Sequence, residues 1–248
     1  MPISQSYSRI LKHGPGVPLV FSHGFLGKST DWEAVSALLP PCLCIGIDLP
    51  GHGSSPFSET FDFLLPSSRF HLIGYSMGGR LALQYALRYP DRIDRLFLIS
   101  THPGLTSEEE KKQRLASDQT WADLLLHLPI DEFLIRWYDQ PLFHGFKPDF
   151  SKRREQNRSE LALAMMHYSL GKQPFCDASG AIHVVGEEDA KFRALHPTAL
   201  VIPNTGHAIH LENPKALAQI IMEKILYGSQ EGFVNLDSAR QSQTERRI

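Results

Sequence analysis

Ser76, Asp189 and His207 stand in an order, and in local settings, that suit proton transfer at a serine hydroxyl. Ser76 lies in Gly74-Tyr75-Ser76-Met77-Gly78-Gly79, where the apolar run from Phe70 breaks into glycines and then enters the helical pattern RLALQYALRY. A strand-to-helix turn this sharp lifts a serine above the end of a sheet, with a helix N-terminus beneath it. Glycines flanking x-Ser-x are common by chance, so the strand before and the helix after carry the meaning. Asp189 follows the apolar run AIHVVG, just past the end of a predicted buried strand, and His207 sits on the loop after a second such run, ALVIP. A serine hydroxyl is neither a useful nucleophile nor a base at its free pKa. A histidine must take its proton, and a buried carboxylate must fix the imidazole tautomer and stabilise its cation. Three neighbours compete for these roles. Glu187 and Glu188 read as turn residues facing solvent, and His210 reads as a supporting or helix-entry residue.

A fourth element lies upstream, where VPLVFSHGF reads as a strand running into His23-Gly24-Phe25. Gly24 permits a turn that aims the Phe25 amide at the site, and the Met77 amide follows the nucleophile. Two preorganised N–H donors facing one point are what a developing oxyanion or enolate requires. His52, in the Pro-Gly turn after CIGIDL, reads as structural, since the triad already has its base.

These residues need a scaffold that brings several strand ends together. Apolar strands are expected at about 18–22, 43–48, 70–74, 95–100, 181–185 and 198–202, alternating with helical stretches, which implies a mostly parallel sheet with helices on both faces. With the chain order Ser, Asp, His, this arrangement resembles the α/β-hydrolase fold, which is the expected fold. Residues 104–175 contain no convincing strand and several periodic apolar segments, including TWADLLLHL and DEFLIRWYDQPLF, and are read as a helical cap over the site. Residues 1–228 are read as one domain, and the polar stretch 229–248 as a disordered tail.

Composition fits one enzyme domain: 248 residues, 42% hydrophobic, 21% charged, with a formal net charge of -2 that offers nothing to nucleic acid. The three cysteines match neither a disulfide framework nor a zinc site. No metal or cofactor is expected. The first residues lack the apolar core of a signal peptide and no run reaches the roughly eighteen apolar residues of a membrane span, so a cytoplasmic protein without an anchor is expected. Nothing in the chain speaks to oligomeric state.

Arg80 stands one turn into the helix after Ser76, and Arg114 and Arg154 lie in the predicted cap. Guanidinium groups stay charged and grip carboxylates in a fork, so three converging on one pocket would suit a polyanionic small molecule and not an ordinary ester. Beyond the hydrolase plan, GYSMGGR (74–80), HPGL (102–105), RLASDQTW (114–121), RWYDQPLF (136–143), SLGKQP (169–174) and GEEDAKFRAL (186–195) resemble the 2-succinyl-6-hydroxy-2,4-cyclohexadiene-1-carboxylate synthases of menaquinone biosynthesis, over about residues 17–226. That resemblance implies a lyase that removes a proton from a tricarboxylate and expels pyruvate, with the triad as base system and no acyl-enzyme. It assigns carboxylate binding to Arg80, Arg114 and Arg154, and places Tyr75, Trp137 and Tyr138 along the pocket. Two alternatives stay open on the residues alone: a serine hydrolase of esters or carbon-carbon bonds using the triad covalently, and a non-catalytic binding protein on the same scaffold.

Two segments are short for such a family. Ser76 stands only 23 positions after Gly53, leaving the stub FDFLLPSS in place of a helix, and Gly186 only 13 positions after Gln173. Both losses are expected to uncover part of the sheet.

Overall fold

A computed structural model describes residues 7–62, 65–66 and 68–226; the proposed tail at 229–248 lies outside the described residues. Seven strands form one sheet: β1 (Ser8–Lys12), β2 (Leu19–Ser22), β3 (Cys44–Ile47), β4 (Phe70–Tyr75), β5 (Ile93–Ile99), β6 (Ile182–Gly186) and β7 (Leu200–Ile202), in the order β1-β3-β2-β4-β5-β6-β7. All neighbours run parallel except β1, which pairs antiparallel with β3. The central strands β2, β3 and β4 are buried at every position, so they read as unbroken apolar runs and are legible in the sequence. β1 is not among the strands expected from the sequence. As an edge strand with polar Ser8, Arg9 and Lys12 and an exposed Ile10, it lacks that signal.

Nine helices complete the described chain: α1 (Glu33–Leu38), α2 (Met77–Arg88), α3 (Glu108–His127), α4 (Ile130–Tyr138), α5 (Ser151–Arg154), α6 (Arg158–His167), α7 (Ala190–Leu195), α8 (Ile209–Glu212) and α9 (Pro214–Leu226). One sheet face, with Val20, Ile45, Leu72 and Leu98, packs against Leu81, Ala82 and Tyr85 of α2. The other, with Phe21, Ile73, Phe97 and Ile202, packs against Val35 of α1 and Leu217, Ala218 and Ile221 of α9. The registers Ser22 with Gly74, Tyr75 with Ile99, Ile99 with Val184, and Gly186 with Ile202 align the C-terminal ends of five strands. The loops that follow β2, β4, β6 and β7 therefore emerge along one edge of the sheet, where ligands bind in open α/β sheets.

α3 to α6 all fall between β5 and β6 and build a core of their own from Ala122, Leu125, Phe133, Leu134 and Leu161, into which Leu26 from the loop after β2 inserts. α3 begins where Ser107 Oγ accepts the Glu110 N–H at 3.3 Å, with Glu108 to Glu110 in its first turn. This is a capped start with acidic residues at the positive end of the helix dipole.

The shortened segment before β4 does not leave the sheet open, contrary to the expectation. Phe61 and Leu65 are each 6% exposed and join the core over α2, Phe61 lying 5.9 Å from the Tyr85 ring. Two well-aimed side chains do there what a helix would do. Val201 on edge strand β7 is 46% exposed, and Leu195 on α7 and Phe175 stand open as well. Among the described residues no helix is long and apolar enough to cross a membrane.

Candidate active site

Ser76 is the residue between β4 and α2, with φ 50° and ψ −112°, a conformation that L side chains adopt only where the surroundings hold them. Close approach at the next turn supplies the hold. A Cβ at Gly78 would strike the carbonyls of Ser22 and His23, and one at Gly79 would strike the Thr101 side chain. Only glycine lets α2 seat this near to β2 and to the loop after β5.

His207 Nε2 lies 3.3 Å from Ser76 Oγ, and His207 Nδ1 lies 2.7 Å from Asp189 Oδ2. Asp189 and His207 are both buried. The Asp189 contact makes Nδ1 the protonated nitrogen, which leaves Nε2 as the acceptor facing Ser76. Glu212 was not found from the sequence. Its two carboxylate oxygens accept the Gly206 and Ala208 N–H groups, each at 2.7 Å, so a single side chain grips both amides flanking His207. Its spacing of five residues past the histidine on a short helix is the signal that was available. Glu187 and Glu188 are exposed, as read, with Glu187 Oε2 accepting the Asn204 N–H at 3.0 Å.

Ser76 and Asp189 line a cavity of about 650 Å³, within the range of small-molecule sites. Gly24, Phe25 and Met77 line it beside Ser76. The loop before Phe25 is fixed by His23, whose Nδ1–H donates to Gly24 O at 2.7 Å while its Nε2 accepts the Leu49 N–H at 3.0 Å. His52 is buried and structural, donating from Nδ1 to Pro50 O at 3.1 Å. His210 is buried against Tyr75 and Trp32, with ring centroids 4.4 and 4.6 Å apart, and borders the cavity.

Three arginines border this cavity together with the carboxylates of Asp31, Asp118, Glu188 and Asp189. Arg80 is buried, and Nη1 donates to Tyr168 O at 2.9 Å and to Gln173 Oε1. Both partners are neutral, so the guanidinium is held in place without being cancelled. Burial, and then the nearby Arg114, push its pKa down to about 9, a cost that an arriving carboxylate would relieve. Arg114 pairs with Asp118 at 2.8 Å. Arg153 makes a two-pronged bridge to Asp31, Nη1 to Oδ1 at 3.0 Å and Nη2 to Oδ2 at 2.9 Å, with both side chains almost fully buried. Burial opposes the charge of Asp31, yet the Arg153 guanidinium holds its carboxyl below the ordinary carboxylate value, and Asp31 correspondingly raises Arg153. His102 and Lys191 also border the cavity and were not singled out in the sequence. Burial, then Lys191, Arg80 and Arg114, lower the pKa of His102 to about 4.

The profile of the α/β-hydrolase fold matches residues 17–223. Proteins named 2-succinyl-6-hydroxy-2,4-cyclohexadiene-1-carboxylate synthase are 35% identical in an Enterobacter species, over 84% of this chain and 92% of theirs, and 36% identical in Salmonella typhimurium, over 85% and 97%. The chain belongs to this synthase family. Among solved structures, MenH from S. aureus superposes with a TM-score of 0.78 at 27% identity, covering 88% of this chain and 97% of that one. An esterase from Thermogutta terrifontis, with a TM-score of 0.68 at 22% identity, shares the fold.

Of the residues to which the synthase resemblance points, Tyr75, Arg80, Arg114, Trp137 and Tyr138 all border the cavity. Arg154 does not. It is about half exposed and pairs with Asp131 on the outer surface of α4, while its neighbour Arg153 takes the place in the cavity. Successive residues on a helix point about 100° apart, so Lys152-Arg153-Arg154 can send only one member inward. Spacing from Asn157 selects Arg154, whereas the buried carboxylate of Asp31, 122 positions away in sequence, selects Arg153. The described residues contain no group of three or more His, Cys, Asp or Glu side chains placed to hold a metal ion.

A pH dependence follows from the buried histidines. Burial brings both pKa values down to about 3, reinforced by His23 for His52, and for His210 opposed by Asp31 and reinforced by Arg153. A folded pKa below the unfolded value of about 6.5 means the unfolded chain binds more protons, so stability is lost as pH falls below about 6.5. Each fully buried ring should cost on the order of 2 kcal/mol between pH 6.5 and 5. Urea unfolding at pH 7, 6 and 5 should show that decline, and a flat profile would contradict it.

Proposed function

We propose that this chain eliminates pyruvate from 2-succinyl-5-enolpyruvyl-6-hydroxy-3-cyclohexene-1-carboxylate to give 2-succinyl-6-hydroxy-2,4-cyclohexadiene-1-carboxylate, with Ser76, His207 and Asp189 as its base system. The observation that carries this reading is one cavity lined by Ser76 and Asp189, which His207 joins by hydrogen bonds, together with three arginines, Arg80, Arg114 and Arg153. Arg80, whose partners are neutral, offers a substrate carboxylate an unpaired guanidinium there, and Arg114 and Arg153, paired with Asp118 and Asp31, add cations beside it.

In the mechanism, the Ser76 hydroxyl proton passes to His207 Nε2 as Ser76 Oγ takes the acidic C–H proton of the substrate. The electron pair becomes an enolate whose oxygen is held by the Phe25 and Met77 amides. Its return expels the enolpyruvyl group by 1,4-elimination: the C–O bond breaks, the leaving group gains the proton held by His207, and it departs as pyruvate. Asp189 keeps the imidazole in one tautomer and stabilises its cation. The helices between β5 and β6 serve as the cap that closes this space from water. No cofactor takes part, the partner is a small polycarboxylate and neither nucleic acid nor membrane, and the setting is the cytoplasm.

A serine hydrolase would use the same 3.3 Å contact covalently, and kinetics tell the two apart. Supplied with the pathway intermediate, the protein should release pyruvate and leave no adduct on Ser76 by intact-mass spectrometry. p-Nitrophenyl esters should turn over poorly and without a stoichiometric burst. A burst with efficient ester turnover and no pyruvate would select the hydrolase.

A further inference from the structure

The loop that presents the Phe25 amide is a four-residue turn. Gly27 N–H donates to Gly24 O at 2.9 Å, Leu26 has φ 63°, and Phe25 is not among the residues of positive φ. Negative φ at the second residue and positive φ at the third make this a type II turn, whose third position favours glycine. Leucine stands there instead, and the surroundings must hold it. They do so twice. The Leu26 side chain is fully buried among Ala122, Leu125, Phe133 and Leu161, all from helices between β5 and β6. Its carbonyl accepts a hydrogen bond at 2.6 Å from Nε2 of Gln156, in the turn between α5 and α6.

Gln156 is buried, and its other amide atom is also used: Oε1 accepts the Gly53 N–H at 3.0 Å. A carbonyl can only accept and a backbone N–H can only donate, so the orientation of the Gln156 amide is fixed by its partners. One side chain thus ties together the turn after β2 and the turn after β3, from 130 and 103 residues away. Nothing about Gln156 touches the triad.

We propose that Gln156 is a positioning residue of the reaction: through it the helical insertion holds the strained turn that aims the Phe25 amide at the developing enolate. The inference rests on the reading of Phe25 as an oxyanion donor. The insertion then does more than cover the cavity, because the donor is correctly aimed only while Gln156 and the pocket around Leu26 are in place. An interaction realised only as charge develops lowers kcat when lost and leaves ground-state binding alone.

Gln156→Met keeps the length and removes both hydrogen bonds. Gln156→Glu keeps the acceptor for Gly53 and sets oxygen against the Leu26 carbonyl. Each should lower kcat for pyruvate release by about 10- to 100-fold, a fraction of the roughly 10²- to 10³-fold cost of losing an oxyanion donor outright. KM should stay within about twofold of wild type. Thermal unfolding sets an assay temperature at which each variant is folded. Phe25→Pro, which a second turn position accepts, deletes the donor, and Phe25→Ala keeps it, so their ratio in kcat reports the N–H itself. A large Ala-to-Pro ratio with depressed kcat in the Gln156 variants supports the proposal. A large ratio with wild-type kcat in both Gln156 variants, or with losses confined to KM, overturns the role of Gln156 and leaves the oxyanion reading standing. A ratio near one overturns the oxyanion reading, and this proposal with it.

Discussion

Ser76→Ala and His207→Ala are each expected to lower kcat for pyruvate release by on the order of 10³- to 10⁶-fold while leaving the fold intact. The size follows from the geometry. His207 Nε2 lies 3.3 Å from Ser76 Oγ and Nδ1 lies 2.7 Å from Asp189 Oδ2, so removal of any link leaves no path for the proton. For the same reason the double variant should be hardly worse than the poorer single one, since groups that act as a unit are not additive. Asp189→Asn should also fall by about 10⁴-fold, because the amide favours the wrong tautomer of an imidazole it still holds in place. Stability should change little at Ser76. That residue sits at φ 50°, and alanine bears the same backbone strain as serine. Coupled assay of pyruvate gives the rates, and values within about tenfold of wild type in both single variants would remove the triad from the mechanism.

That Ser76, Asp189 and His207 come together was legible in the sequence because each follows the C-terminal end of an apolar strand. The apolar runs, the glycines after β4 and the chain order are all local signals, and register alone then brings the strand ends together. What escaped depends on contacts distant in sequence. The choice between Arg153 and Arg154 is made by Asp31, and no pattern within Lys152-Arg153-Arg154-Glu155 contains it. Gln156 reads as an ordinary polar residue until two turns, after β2 and after β3, are brought to its amide. Coverage of the sheet before β4 was misjudged for a related reason. A helix has a periodic signature, whereas Phe61 and Leu65 cover the same face from irregular chain. β1 escaped because an edge strand with one polar face carries little apolar pattern.

Arg153→Ala and Arg154→Ala should differ sharply although the residues are neighbours. Arg154 pairs with Asp131 at the surface, and such exposed pairs contribute about 0–1 kcal/mol; its loss should leave kcat/KM near wild type. Arg153 is buried and bridges Asp31 at 2.9 and 3.0 Å. Its removal strands a buried carboxylate, which costs about 3–5 kcal/mol of stability, and takes from the cavity a guanidinium facing a carboxylate-rich substrate, lowering kcat/KM by about 2–4 kcal/mol. The two effects are separable. Asp31→Leu combined with Arg153→Met replaces the ion pair by apolar groups of similar bulk, which is often neutral for stability, so this double variant should regain much of the lost folding energy. Its kcat/KM should remain low, since no cation has been returned. Recovery of both quantities together would make the bridge purely structural, and an Arg154→Ala loss equal to that of Arg153→Ala would overturn the assignment of the third arginine altogether.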